Sequence, residues 1–532
     1  MRELNWRVEL TDGTVFTGRE EVSGGALHVT PRLPEGRIRS VTAEMLLPLT
    51  EEDRVFINGF QSWTNCPEYT SADSIRGLSH LPKAGVKYFG LDRYGDNYFV
   101  DYPGKKGVLH GESWAYARRG GEFRLAASLD ETPGYTLIRY DFSGGRLRLE
   151  RDCVGLRCGG PFHAFDLFFA RGGEDEVFDA WFAAMGVKAR TQDKIAGYSS
   201  WYNRYQHIDE ACIRSDLKAC AGMLRPGDLF QIDDGWETKV GDWLVPDAGK
   251  FPNGLKPIAD EIHGRGLRAG LWLAPFGCQK DSEICRAHPD WLVKGPDGKP
   301  WYCGINWGGF YSLDIDFPEV REYLRSVFRR VLEEWGFDLV KLDFLYGAAP
   351  FGSETESRAG RMIRAMDFLR ELCGDKLILG CGVPMMPAFG RVDYCRIGCD
   401  VGLDWDGSWL MQQTHRERVS TRQSLQNTVF RRQLNGRAFG NDPDVFFLRT
   451  SNMKLKPEEK RILSEINALL GNVWLTSDDM GEYGDRQRAR YRELRELREA
   501  DDIRVSADEE IQISYSVRGE KCSLTAKLGK KR

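Results

Sequence analysis

From about residue 194 the chain alternates short buried runs with amphipathic stretches, and it does so eight times. The runs are 197–201, 229–233, 267–273, 339–343, 377–382, 392–396, 438–442 and 472–476. Four or five apolar or small residues bounded by turn signals suit a strand buried on both faces, as in a parallel sheet. Between them 210–223, 255–264, 318–335, 355–373 and 457–469 carry helical periodicity. Eight strand–helix units over roughly 285 residues predict a (β/α)8 TIM barrel, an α/β fold. A doubly wound open sheet is the alternative, but it calls for a Gly-rich phosphate fingerprint after the first strand, and none is present.

A chain of 532 residues exceeds a single core. Residues 1 to about 185 read as an antiparallel β-sandwich, with runs at 6–10, 54–57, 98–101, 123–128 and 146–151 between Gly-, Pro- and Asp-rich turns. Helical periodicity there is confined to 177–185. The tail has two strand-like runs, 511–517 and 521–527, and Lys530, Lys531 and Arg532 read as a frayed end. The expected division is a β-sandwich domain over 1–190, a barrel over 191–480 and a small C-terminal β domain over 481–532. A composition of 41% hydrophobic and 29% charged residues is that of a globular chain. A net charge of -5 speaks against a nucleic-acid or anionic-membrane partner. There is no run of about 18 apolar residues for a transmembrane helix. The first residues alternate like a strand and lack a signal peptide's basic and apolar regions, so a cytoplasmic location is expected. The thirteen cysteines are odd in number and lack CxxC spacing, which fits reduced core thiols.

Barrel enzymes work at the C-terminal ends of their strands. Those ends carry Trp201, Asp233-Asp234, Trp272, Lys341 with Asp343, Cys381, Arg396 with Asp400, Asp442 with Asp444, and Asp478-Asp479. Carboxylates and tryptophans dominate. Flat apolar sugar faces stack on indole, so the 15 tryptophans suit a sugar site as well as a large core. Lys341 and Asp343 are two residues apart on a strand and point the same way, and a cation beside Asp343 favours its ionised form. An acid that donates a proton needs a raised pKa, which Asp400 could gain from burial or a second carboxylate. Asp404 and Asp406 are its rivals. The eight histidines all lie off the strand ends, which disfavours zinc. A carboxylate-only magnesium site stays open by ligand type, although Lys341 would repel a cation there. No GxSxG elbow for Ser/His/Asp hydrolysis occurs. On the residues alone the reading is an acidic barrel enzyme with a sugar substrate.

Eight ordered motifs sharpen it: GYSSWYNRY (197–205), QIDDGWE (231–237), GDWLVPDAGKFPNGL (241–255), GLWLAPF (270–276), SEICRAHPDW (282–291), VKLDF (340–344), GCGVPMMPAFGRVDYCRIGCD (380–400) and NDPDVFFLR (441–449). Together they resemble glycoside hydrolase family 36, and more distantly family 27, most closely the compact bacterial α-galactosidases. NGFQSW (58–63) resembles the N-terminal segment that carries a Trp over that family's active site.

The resemblance implies a retaining α-galactosidase with Asp343 as nucleophile and Asp400 as general acid/base, working by double displacement. It implies that Asp233 and Asp234 hold O4 and O6 of galactose, that Lys341 lies near O3 and O4, and that Arg396 lies near O2. It places Cys381 on the C2 side and makes Trp63, Trp201 and Trp272 aromatic walls. No metal or other cofactor is implied. The expected partner is a small oligosaccharide, and a homo-oligomer is in keeping with the clan. The departures are Glu237 and Val383. Val383 adjoins the C2 side, which leaves open an α-N-acetylgalactosaminidase or another α-glycosidase of the same fold. A raffinose-synthase-like transglycosylase is a further alternative.

Overall fold

The computed structural model describes residues 2–508 and 510–529, so the expected fraying of Lys530, Lys531 and Arg532 lies outside the described residues. Eight barrel strands form where the short runs predict them. They are β1 (Ile195–Ser199), β2 (Leu229–Ile232), β3 (Arg268–Leu273), β4 (Leu339–Leu342), β5 (Leu377–Gly380), β6 (Tyr394–Arg396), β7 (Gly440–Asp442 continued by Val445–Phe446) and β8 (Val473–Thr476). Each pairs in parallel with the next, and β8 pairs with β1. Their burial on both faces explains the absence of alternation in these runs.

The barrel closes through a broken strand. Gly440–Asp442 pairs with β6, whereas Val445–Phe446 pairs with β8. Pro443 at the break has no N–H for a ladder, and Asp444 takes a left-handed φ of 73°. The kink turns the Asp442 and Asp444 side chains toward the rim of the barrel.

Helices cover the barrel, with two departures from expectation. The stretch 318–335 is an α-helix, Pro318–Arg329, followed by a π-helical turn, Arg330–Glu334. Helix Thr421–Phe430, after β6, carries no apolar stripe, because its Thr, Ser, Gln and Asn side chains are themselves buried. Helix Asp485–Leu497 follows β8 and lies beside helix Pro457–Leu470. Beyond it the strands Asp501–Ala507, Ile511–Val517 and Glu520–Ala526 form an antiparallel sheet. Among the described residues no helix is long and apolar enough to cross a membrane.

The N-terminal part is two antiparallel sheets face to face. One is centred on the long strand Arg32–Leu46, the other on Glu122–Ser128 and Trp114–Arg119. Val8, Ile38, Val41, Ile138 and Leu149 from the first meet Val55, Ala115, Ala117 and Leu167 from the second. The outer face of the second sheet is also buried. Phe56, Trp114, Tyr116 and Phe168 join the core that continues into the barrel. The expected strand at 98–101 is not formed. The amides of Phe99 and Val100 fold back onto the carbonyl of Asp96, and the Gly95-Asp96-Asn97 turn wins over the apolar run.

One segment of the sandwich reaches the barrel's C-terminal rim. Ser62 N–H donates to Val383 O at 2.9 Å, and Arg431, fully buried after helix Thr421–Phe430, fixes the rest. Its guanidinium donates to Asn58 Oδ1 (2.8 Å), Ser62 O (2.6 Å), Gln61 O (3.2 Å) and Ile397 O (2.9 Å). Removing it strands several buried acceptors, each costing about 1–3 kcal/mol. Arg431→Ala should therefore destabilise the protein by about 3 kcal/mol or more. Thermal unfolding checks this, and a midpoint equal to the wild type's would refute it.

Candidate active site

A cavity of about 690 Å³ opens at the C-terminal end of the barrel. Its walls include Trp63, Trp201, Asp233, Asp234, Trp272, Lys341, Asp343 and Asp400. Eight of the ten residues singled out from the sequence thus meet in one place. Arg396 and Cys381 lie just behind the wall, 4% and 1% exposed. The rivals Asp404 and Asp406 do not line the cavity. Asp406 is held by Arg418 and Arg422 at 2.5 and 2.8 Å.

Each carboxylate is fixed by its strand end. Asp343 follows β4, and its N–H donates to Leu273 O on β3. Its carboxylate accepts from Trp272 Nε1 at 3.1 Å and from the backbone N–H of Phe344 at 2.9 Å. Lys341, expected beside Asp343, instead forms its ion pair with Asp233, at 2.9 Å. Burial alone would lower the Lys341 ammonium's pKa. The facing Asp233 outweighs it, and the group is held firmly cationic. Asp233 also accepts from Gln231 Nε2 at 2.8 Å and sits 3.3 Å from Ser199 Oγ.

Asp234 accepts from Gln206 Nε2 (2.9 Å) and Trp307 Nε1 (2.8 Å). Gln206 comes this close because residue 235 is glycine. A Cβ there would meet Gln206 Cα at 2.8 Å, and φ is 117°. Burial pushes the Asp234 carboxyl up, against the bonds it accepts. Burial and the neighbouring Asp234 push Glu237 well above the usual carboxylate range.

The fourth group is built on Arg396 at the end of β6. Its Nε faces Asp442 at 3.1 Å, one terminal nitrogen Asp400 at 2.8 Å and the other Asp444 at 2.8 Å. One cation thus meets three carboxylates. Asp444 has further donors in Tyr202 O–H (2.6 Å) and Val401 N–H (2.8 Å), and Asp442 accepts from Asp444 N–H at 2.9 Å. Asp442 and Asp444 are 1% exposed, while the Asp400 side chain keeps 36% of its surface, toward the cleft. The surplus charge falls on Asp400. Loss of water around it and repulsion by Asp444 push its pKa up to about 6, against the pull of Arg396.

Trp63 arrives from the sandwich. Its Nε1 donates to Cys381 Sγ at 3.3 Å, and it packs edge-to-face on Phe344 with ring centres 5.0 Å apart. Cys381 is therefore covered by Trp63 instead of facing the cavity; burial and then Asp343 push its thiol up. Trp243 is fully buried against Trp236 and Trp272 and belongs to the core.

Sequence reasoning missed Trp307, Gln206 and Tyr202 as parts of the site, and it named Asp444 as a strand-end acid without giving it a role. Trp307 lies in a loop after β3, and no strand-end rule points to it. A signal does exist in the backbone. Of the eight non-glycine residues with positive φ among those described, Tyr205, Trp307, Phe344 and Asp444 belong to this rim. Such strain gathers where surrounding structure holds a functional arrangement.

Comparison with known proteins gives the family. The melibiase family profile matches residues 199–366. The α-galactosidase TtGalA of Thermus thermophilus, solved with stachyose, is 30% identical, with 92% of this chain and 98% of that chain covered and a TM-score of 0.72. The chain belongs to the melibiase family of glycoside hydrolases. The resemblance to family 36 read from the ordered motifs holds, and the barrel fold with it. The same Thermus enzyme solved with p-nitrophenyl α-D-galactopyranoside gives 28% identity, 97% and 98% coverage and a TM-score of 0.75. An Escherichia coli α-galactosidase is 31% identical over 155 residues, 27% of this chain and 21% of its own. Against the curated relatives, then, the match spans only about a fifth of their length.

In this melibiase family member Asp444 is the charge that repels the Asp400 carboxylate most strongly. Asp444→Asn should lower the pH at which Asp400 loses its proton to below about 6. Carbon-13 titration of the Asp400 carboxyl reads this directly, and an unmoved midpoint would refute the charge coupling.

Proposed function

We propose that the protein is an α-galactosidase that works with retention, by double displacement. The observation that carries this reading is the contrast between two carboxylates on one cavity wall. Asp343 is an acceptor of two N–H donors, while Asp400 is a carboxylic acid with its pKa near 6. That contrast is what a nucleophile and a general acid require. Asp343 attacks the anomeric carbon as Asp400 protonates the departing oxygen. Asp400 then takes a proton from water, which displaces Asp343 and releases the sugar in its α form.

Asp233, Asp234 and Lys341 lie on the same wall and supply the acceptors and the cation for a sugar's hydroxyls, with Trp63, Trp201, Trp272 and Trp307 as apolar surfaces. The galactose assignment rests on the family resemblance and on the α-galactosides bound to the Thermus relative. Arg396 has each nitrogen on a carboxylate, and we read it as holding Asp400 instead of touching the sugar. Trp63 over Cys381 closes the strand-5 side, where an N-acetyl group at C2 would need room. That supports galactose over N-acetylgalactosamine. The reaction is read as hydrolysis of small galactosides. The thirteen free thiols, eleven of them buried, fit a cytoplasmic setting.

Hydrolysis of p-nitrophenyl α-galactoside beside its N-acetylgalactosaminide tests the sugar. Turnover of the first alone, unaffected by chelator, is expected; activity on the amino sugar alone would overturn the assignment. Asp343→Ala should cut kcat by at least about a thousandfold while the fold is kept, and azide should restore a β-galactosyl azide. Retained activity would remove Asp343 as nucleophile. Asp400→Ala should slow melibiose by about 10²–10⁴-fold and the nitrophenyl galactoside far less, because a good leaving group needs no acid. For the wild type, kcat/KM should fall as pH rises through about 6, where Asp400 gives up its proton.

A further inference from the structure

Twelve large apolar side chains are exposed among the described residues. Five of them, Phe89, Ile305, Leu410, Met411 and Val419, line this one cavity. Being both exposed and cavity-lining, they form its mouth. They come from three separate stretches of chain, and Tyr88 and Trp409 extend the patch on either side in sequence. Scattered single apolar residues need no explanation, but a convergent ring of them marks a binding surface.

The polar side chains that line the cavity beside them have partners within the protein, with one oxygen of Glu417 left without a hydrogen bond. Asn306 accepts from Tyr94 O–H at 2.8 Å, Glu417 accepts from Thr64 Oγ1 at 2.8 Å, and Arg418 pairs with Asp406 at 2.5 Å. Thr414 Oγ1 donates to Met411 O at 2.8 Å, and His415 Nδ1 accepts from Glu417 N–H at 3.2 Å. A sugar seated here would give up water for few new hydrogen bonds, which costs free energy. Four of the five, Ile305, Leu410, Met411 and Val419, also lack the flat face on which sugars stack, and only Phe89 has one. An apolar group loses nothing and gains contact.

We propose that this collar is the subsite for the leaving group and that it selects an alkyl or aryl aglycone over a further sugar. The proposal rests on the reading that the carboxylate floor takes the galactosyl group. The floor then supplies the hydrogen bonds and charges, and the mouth supplies apolar surface, so the preferred substrate is amphiphilic. The alcohol leaves with the proton from Asp400, as for any glycoside.

The test compares kcat/KM for methyl, butyl and octyl α-galactoside, below the octyl compound's micelle concentration, with melibiose and raffinose. The three alkyl leaving groups are of similar basicity, so chain length reports contact with the collar. Octyl should exceed methyl by about tenfold or more, from partial burial of the added methylenes. In Leu410→Ser/Met411→Ser/Val419→Ser the octyl-to-methyl ratio should fall to about one. If that variant does not fold, Met411→Ser alone should lower the ratio. A wild-type ratio near one, or raffinose tenfold above octyl, would overturn the proposal. So would a collar variant that dissociates an oligomer, by sedimentation, with the ratio unchanged, because the patch would then be covered by a second copy. Hydrolysis of no α-galactoside at all would overturn the reading of the floor and the collar with it, an outcome distinct from hydrolysis without chain preference.

Discussion

Two buried cations organise the carboxylates of the barrel's C-terminal rim. Lys341 neutralises Asp233, and Arg396 is shared among Asp400, Asp442 and Asp444. Buried charges are costly unless paired and hydrogen-bonded. The rim meets that constraint by spending every nitrogen of Arg396 on a carboxylate and by giving Asp444 a tyrosine hydroxyl and a backbone N–H. What is left over is one carboxyl that faces the cleft, with its pKa pushed up to about 6. That raised pKa is a property of the cluster more than of the residue.

The same constraint explains the break in the seventh strand. A regular strand would keep Asp442 and Asp444 on its alternation and pair with both neighbours along its whole length. Pro443 and the left-handed Asp444 split it, so that one half serves β6 and the other β8. The barrel loses ladder hydrogen bonds there and gains two carboxylates on Arg396. Strain at Trp307 and Phe344 works in the same direction: the first turns an indole N–H to Asp234, the second a backbone N–H to Asp343.

The sandwich takes part in the site. Its second sheet is buried on both faces, so sandwich and barrel share a continuous core, and Arg431 clamps the loop that carries Trp63. The cavity is graded as a result, with charged groups and indoles at its base and apolar side chains, mostly aliphatic, at its mouth. A site of this kind distinguishes the two ends of a substrate by solvation: hydroxyls are matched at the base and apolar groups at the rim.

The sequence by itself determined the eight barrel strands and the residues at their ends. A doubly buried strand must be short and apolar, and its end must face the rim; Asp233, Lys341 and Asp343 follow from that rule, whereas Asp400, four residues past its strand, was preferred over Asp404 and Asp406 by the family resemblance. The ordered motifs determined the family. Local pattern carried less where polar residues are buried, as in helix Thr421–Phe430, or where a turn overrules an apolar run, as at 98–101. Only the tertiary structure decided the partners. Lys341 lies two residues from Asp343 yet pairs with Asp233 on another strand, because ion pairing follows distance across the barrel and not along the chain. For the same reason Gln206 and Trp307 joined the site only when distant loops were brought to one rim, and Asp444, visible in the sequence as a strand-end acid, met its partner Arg396 only there.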